Sequence, residues 1–208
     1  MCRYGTCILV PKSLKVARAF RVHYNATRMG RDALFVDVDI GGTQFRVCST
    51  HLESLVATPP RRPLQLAIAA KYMHEAAASI LGGDLNAIEP FDKTLHVENK
   101  LKDAYLELGG IEDAEAGMTW GQMVPRTEKK FGLSRMDKLL YCGRVVLENF
   151  ELFGHDVQLD GDDEVSKILK ARDGLDKAWV TDHLGVKADF MVGTAVLPQS
   201  SLRPSEKL

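Results

Sequence analysis

Apolar and polar residues alternate along several stretches of this chain, and the period changes from stretch to stretch. Leu34, Val36, Val38 and Ile40 alternate with Phe35, Asp37 and Asp39, a period of two that predicts a half-buried strand. Gly41-Gly42 separates it from a second β-run, Thr43 to Thr50. A type I′ turn needs positive φ at both central positions, so the two glycines predict a hairpin, with His51 at the end of its second strand. An earlier run, Cys7-Ile8-Leu9-Val10, also reads as a strand. Pro59-Pro60-Arg61-Arg62-Pro63 breaks the chain and can open a helix with Pro63 in its first turn. Leu64 to Ala78 continues it with good helix formers. Ser79 to Gly82 predicts a short strand that delivers Gly83-Asp84. Leu101 to Leu108 predicts a helix stopped by Gly109-Gly110. Met136 to Cys142 and Val145 to Phe153 read as strands around Gly143. Gly154 to Ala178 is polar and acidic and reads as a loop with one helical turn. Leu184, Val186, Ala188 and Phe190 alternate in a last strand. The folded domain is placed at residues 1–192, with 193–208 a disordered tail rich in Pro, Ser and charge. Strands outnumber helices and come partly in hairpins, which predicts an α+β domain with mixed sheets rather than a doubly wound parallel sheet.

Composition narrows the class only a little. At 208 residues, 45% hydrophobic and 26% charged, the chain is suited to one domain with a substantial core. A net charge of −1 supplies no bulk field for nucleic acid, and leaves a local basic groove open. Cys2, Cys7, Cys48 and Cys142 have neither C-x-x-C pairing nor metal-type spacing, which predicts reduced thiols in an intracellular protein of the nucleus or cytoplasm. No apolar run approaches the roughly 20 residues of a membrane span.

The chemistry concentrates in short polar clusters at the ends of apolar runs. Asp84 and Asn86 are two apart, and in an extended segment such residues point to one side. A carboxylate that holds or deprotonates water and an amide that orients it could converge there. Gly-Asp and Asn are equally standard turn residues. Arg135 and Asp137 repeat the spacing before an apolar strand: an aspartate able to orient a histidine and an arginine able to bond a phosphate, or a surface ion pair worth little. Asp182 and His183 are adjacent, and serve one site only where the backbone leaves the strand. Asp suits a hard cation such as Mg²⁺ and His an acid, base or charge-stabilising role; the alternative is a capping Asp beside a packed His. His51 and Glu53 form another such pair. Trp120 could stack on a base or fill the core. Arg28 and Arg31 could bind phosphate or simply be solvated.

In order, Ser49-Thr50-His51-Leu52-Glu53-Ser54, Gly83-Asp84-Leu85-Asn86, Thr119-Trp120, Arg135-Met136-Asp137-Lys138-Leu139 and Thr181-Asp182-His183-Leu184-Gly185 resemble the endonuclease/exonuclease/phosphatase superfamily, the DNase I-like fold. Thr-His-Leu-Glu-Ser and the Thr27 to Asp32 loop resemble its 5′-tyrosyl-DNA phosphodiesterase branch. The resemblance implies a two-sheet sandwich flanked by helices and Mg²⁺- or Mn²⁺-dependent hydrolysis of phosphodiesters at DNA ends, some linked to protein, as in DNA repair. By motif position, Asp84 would activate water and Asn86 orient it or the phosphate. His183 would stabilise the transition state, oriented by Asp137, and His51 would contact the scissile phosphate. Asp182 would contribute to metal binding. Arg31, Trp120 and Arg135 would bind substrate.

The family's pattern also holds an Asn on its first strand and a following Gln-Glu whose Glu ligates the metal. Neither motif is present here. The expectation is a domain lacking its first strands and helix, with weak or no activity. A non-catalytic remnant or binding protein, and a lipid or inositol phosphatase, stand as alternatives, the last without a basic amphipathic helix to support it.

Overall fold

The first strand is Val16–His23 (β1), not Cys7 to Val10. Residues 7–10 carry no strand pairing; Ile8 and Val10 instead pack against a cluster of buried apolar residues. This is a computed structural model, and it describes residues 5–124, 128, 131–159, 163–175 and 177–193, with only the backbone at 172 and 173. The expected tail, beyond Gly193, lies outside the described residues.

β1 is an edge strand, antiparallel to Asp32–Ile40 (β2). β2 and Thr43–Thr50 (β3) form the expected hairpin, with Gly41 and Gly42 at φ 58° and 78°. Helix α1, Arg62–His74, carries Pro63 in its first turn. It ends before Ala78, which opens β4, Ala78–Asp84. Two single-turn helices, α2 (Leu95–Glu98) and α3 (Ala104–Glu107), flank a two-residue strand, β5 (Lys102–Asp103). The predicted long helix at 101–108 thus shrinks to one turn capped by the Asp103 side chain, which accepts from Tyr105 N and Leu106 N. β6 (Asp137–Gly143) and β7 (Val145–Phe153) turn about Gly143. The segment after β7 holds a full helix, α4 (Glu164–Asp173), rather than one turn. Asp163 caps its start, and Gly174, at φ 62°, closes it in the left-handed conformation. β8 is Gly185–Val192.

The result is an α+β sandwich. One sheet runs β1-β2-β3-β4-β6-β5 and the other pairs β7 with β8. α1 covers one face of the large sheet, where Phe35, Leu52, Leu66, Met73, Leu81 and Leu140 form the main core. The other face carries Val36, Val38, Phe45 and Ala78, against which Val145 and Val192 of the second sheet pack. Thr43 Oγ1 donates to Gly193 O at 3.0 Å and ties the two sheets across 150 residues of sequence.

Strand β2 departs from simple alternation at Asp37, which is 2% exposed. Its cross-strand neighbour Arg46 explains the burial: Nε reaches Oδ1 at 2.6 Å and a terminal nitrogen reaches Oδ2 at 2.8 Å. Burial pushes the Asp37 pKa up, and the paired guanidinium outweighs it and holds the carboxyl below its usual range. Cys48 and Cys142 are buried free thiols and Cys7 is an exposed one. Among the described residues no helix is long and apolar enough to cross a membrane.

Candidate functional site

Strand ends β4 and β6 meet at one rim of the large sheet, where Asp84 and Asp137 are direct cross-strand partners. One further segment joins them there. Leu52 N, just past β3, donates to Asp84 O at 3.0 Å, and Leu85 N donates to Met136 O at 2.8 Å. The approach of β3 to β4 is so close that only glycine fits. Gly83 has φ 151°, and a Cβ on it would lie 1.9 Å from Thr50 O.

Each carboxylate holds one imidazole. His51 Nε2 stands 3.1 Å from Asp84 Oδ2, and His183 Nδ1 stands 2.7 Å from Asp137 Oδ2. Asp84 Oδ1 also accepts the Asn86 backbone N–H at 2.7 Å. Burial alone would raise the Asp84 pKa. The His51 contact, the Asn86 N–H and the field of His183 outweigh it and keep the carboxyl below its ordinary range. For His183, burial disfavours the cation. The Asp137 bond and the charges of Asp84 and Asp182 overcome that and raise its pKa. The rim therefore pairs an ionised Asp84 with an imidazole biased towards its charged form.

Asn86 is not placed by extended i, i+2 geometry. It sits at φ 47°, a left-handed bend, and its side-chain Nδ2 donates to Leu52 O at 3.1 Å. The turn and the convergence expected as alternatives occur together. Asp182 is exposed and accepts from the Trp120 indole at 3.3 Å. Trp120 itself is largely buried with Val124 and Met136 rather than standing as an open wall.

Arg31 is buried, donates to Ser54 Oγ at 2.7 Å, and lines a pocket of about 240 Å³ together with His51, Arg21 and Asp32. Burial lowers its pKa, while the carboxylates of Asp84 and Glu53 push the other way. Arg135 lies elsewhere. β6 begins only at Asp137, so the two residues do not share a face. Arg135 is clamped by Asp103, at 2.9 Å, and by Glu112, which also pairs with Lys138 at 3.0 Å. Glu53 likewise separates from His51: it is buried and accepts Thr27 Oγ1 at 2.7 Å and Arg28 N at 2.8 Å.

Gln65, which the sequence pattern does not single out, and Thr119, noted there only beside Trp120, hold the rim together. Gln65 of α1 is fully buried, accepts Glu53 N at 2.8 Å and donates to Ala26 O at 2.8 Å. It links the loop of Arg31 to the loop of His51. Thr119 Oγ1 accepts from Met136 N and Asp137 N. Among the described residues no three His, Cys, Asp or Glu side chains come together as a metal cage.

Two Asp–imidazole pairs set on adjoining strand ends of a two-sheet α+β sandwich form an arrangement able to support acid–base and charge-stabilising chemistry. A model of the Endonuclease/Exonuclease/phosphatase family matches residues 1–183, and the chain belongs to that family. It is 27% identical over 161 residues to the 5′-tyrosyl-DNA phosphodiesterase of Caenorhabditis briggsae, covering 74% of this chain and 45% of that protein. It is 28% identical over 194 residues to tyrosyl-DNA phosphodiesterase 2 of Xenopus laevis, covering 90% and 49% respectively. The chain spans about half the length of these curated relatives. Truncated Caenorhabditis elegans TDP2 superposes with a TM-score of 0.66 at 22% identity, over 88% of this chain and 68% of that one. D. rerio TDP2 complexed with single strand DNA product gives 0.63 at 20%, over 86% and 69%. At those identities the structural likeness establishes the fold.

Proposed function

We propose that this chain hydrolyses phosphodiesters at DNA ends, including ends joined to tyrosine. The observation that carries the reading is the pairing of Asp84 with Asp137 across β4 and β6, with His51 3.1 Å from Asp84 and His183 hydrogen-bonded to Asp137. Family membership and the two tyrosyl-DNA phosphodiesterase relatives support the substrate class.

Hydrolysis of a phosphodiester is mostly positioning and charge neutralisation. Asp84, held ionised, accepts the proton of the attacking water, and Asn86 orients that water or a phosphate oxygen. His183, held in place by Asp137, stabilises charge on the phosphate as it is attacked. His51 contacts the scissile phosphate from the Asp84 side. Arg31, in the adjoining pocket, pairs with the nucleic-acid backbone. Trp120 acts mainly by fixing Asp182. Arg135, closed in by two carboxylates, supports the rim and has no direct part in substrate binding. Mg²⁺ commonly binds through one or two carboxylates, waters and the substrate's own phosphates. Asp182, the exposed carboxylate at this rim, fits that mode. Mg²⁺ or Mn²⁺ held there would supply neutralisation of phosphate charge.

The test is cleavage of a 5′-phosphotyrosyl oligonucleotide by the purified chain with Mg²⁺ present. Release of a 5′-phosphate end is expected, with Asp84→Ala inactive. Cleavage that Asp84→Ala leaves untouched sinks the site assignment.

A further inference from the structure

We propose that Thr119 is the positioning residue of the Asp137–His183 pair, a proposal that rests on the catalytic reading of that pair. Thr119 is fully buried. Its Oγ1 accepts two backbone amides, Met136 N at 3.1 Å and Asp137 N at 3.0 Å. These amides enter β6, the strand that presents the Asp137 carboxylate. A buried N–H left without a partner is costly, and a hydroxyl oxygen has two acceptor sites. One side chain thus satisfies both donors and fixes where the strand begins.

The backbone of the same residue reaches the other half of the pair. Thr119 O accepts Leu184 N at 2.8 Å, next to His183, and Trp120 forms an isolated bridge with His183. Thr119 N and Trp120 N both donate to Ser134 O at 3.0 Å. A single dipeptide therefore touches the segments that deliver Asp137 and His183, which are 46 residues apart in sequence. Threonine suits the task because its β-branch restricts χ1 and leaves the hydroxyl little freedom to wander. Valine keeps that shape and lacks the acceptor.

The experiment compares Thr119→Val and Thr119→Ser, each alone and combined with Asp137→Asn, on a 5′-phosphotyrosyl oligonucleotide with Mg²⁺. Thr119→Val is expected to lower kcat by roughly ten- to a hundredfold with KM unchanged, the scale of a small misplacement of a reacting group. Thr119→Ser should recover most of it. In the Asp137→Asn background Thr119→Val should cost little more, because it acts through Asp137. Equal losses in both backgrounds, failure of serine to rescue, or a loss fully explained by the unfolded fraction overturns the proposal. A second readout needs no turnover: the downfield NMR signal of the His183 Nδ1 proton shared with Asp137. It should vanish in Thr119→Val and persist in Thr119→Ser; persistence in both overturns the proposal. If the unsubstituted chain cleaves no phosphodiester, the functional reading fails while this signal still decides the role of Thr119.

Discussion

Asp37–Arg46 and Asp137–His183 are both carboxylates bonded to a basic group, at 2.6 Å and 2.7 Å. Their surroundings separate them. The first pair is sealed, its side chains 2% and 3% exposed, with Arg46 also donating to Tyr72 O at 2.6 Å and Gln44 supporting Asp37 at 3.1 Å. The second stands at a rim, 16% and 25% exposed, with Asp84 and Asp182 close enough to bias the imidazole. A sealed pair has its hydrogen bonds completed within the protein and acts on stability. A rim pair stays within reach of solvent, and a ligand bound there would meet its charge.

Substitutions on the two sides should fail in different ways. Asp84→Asn or His183→Gln is expected to lower kcat by as much as about 10⁴-fold, with a smaller shift of the unfolding midpoint than Arg46→Met produces; steady-state rates and thermal melts on the same preparations check it. Arg46→Met leaves Asp37 buried without its cation and should cost about 3–5 kcal/mol of stability, measured by urea unfolding, while turnover per folded molecule is kept. A melt unmoved by Arg46→Met, or one collapsed by His183→Gln, would break the contrast.

Acid sharpens it further. Asp37, Glu53 and Asp84 all have depressed pKa values in the folded chain. Their contribution is present above the unfolded carboxyl values and is lost as pH falls through the folded ones. His183 has the opposite sign. Its raised pKa stabilises the fold below the unfolded imidazole value and ceases to do so as pH rises through the folded value. The alkaline limb of kcat should therefore lie above the ordinary imidazole value of about 6.5 and move down in Asp137→Asn. Asp182→Asn should raise the Mg²⁺ concentration needed for half-maximal cleavage. At the small end, Lys187→Ala removes an exposed pair with Glu151 at 2.6 Å and should leave the unfolding midpoint almost unmoved, because a solvent-screened surface pair is worth little.

Much of this contrast can be read without coordinates, and the unread part has identifiable causes. The hairpin of β2 and β3, strands β6 to β8, and the rim position of Asp84, His51 and His183 follow from polar residues placed at the ends of apolar runs. β1 is obscured because Arg18, Arg21 and His23 crowd an edge strand whose inward residues are few. α4 carries legible caps in Asp163 and Gly174, while Val165 and Ile168 stay exposed, so no buried apolar stripe marks it. Arg135 reads as a partner of Asp137 only if the strand has already begun there, and it has not. Asp37 reads as an outward residue until Arg46 is seen opposite. The Thr119 hydroxyl meets amides 17 and 18 residues away, a distance at which local patterns carry no signal.

The hydrogen bond from Thr43 to Gly193 has a consequence in time. A nascent chain can fold the β2–β3 hairpin early from local contacts, yet Asp84 must find β6 and Asp137 must wait for His183. Contacts so far apart in sequence form late and slowly. On the ribosome, the rim is therefore completed only after His183 emerges, and until then Asp137 stands without its imidazole.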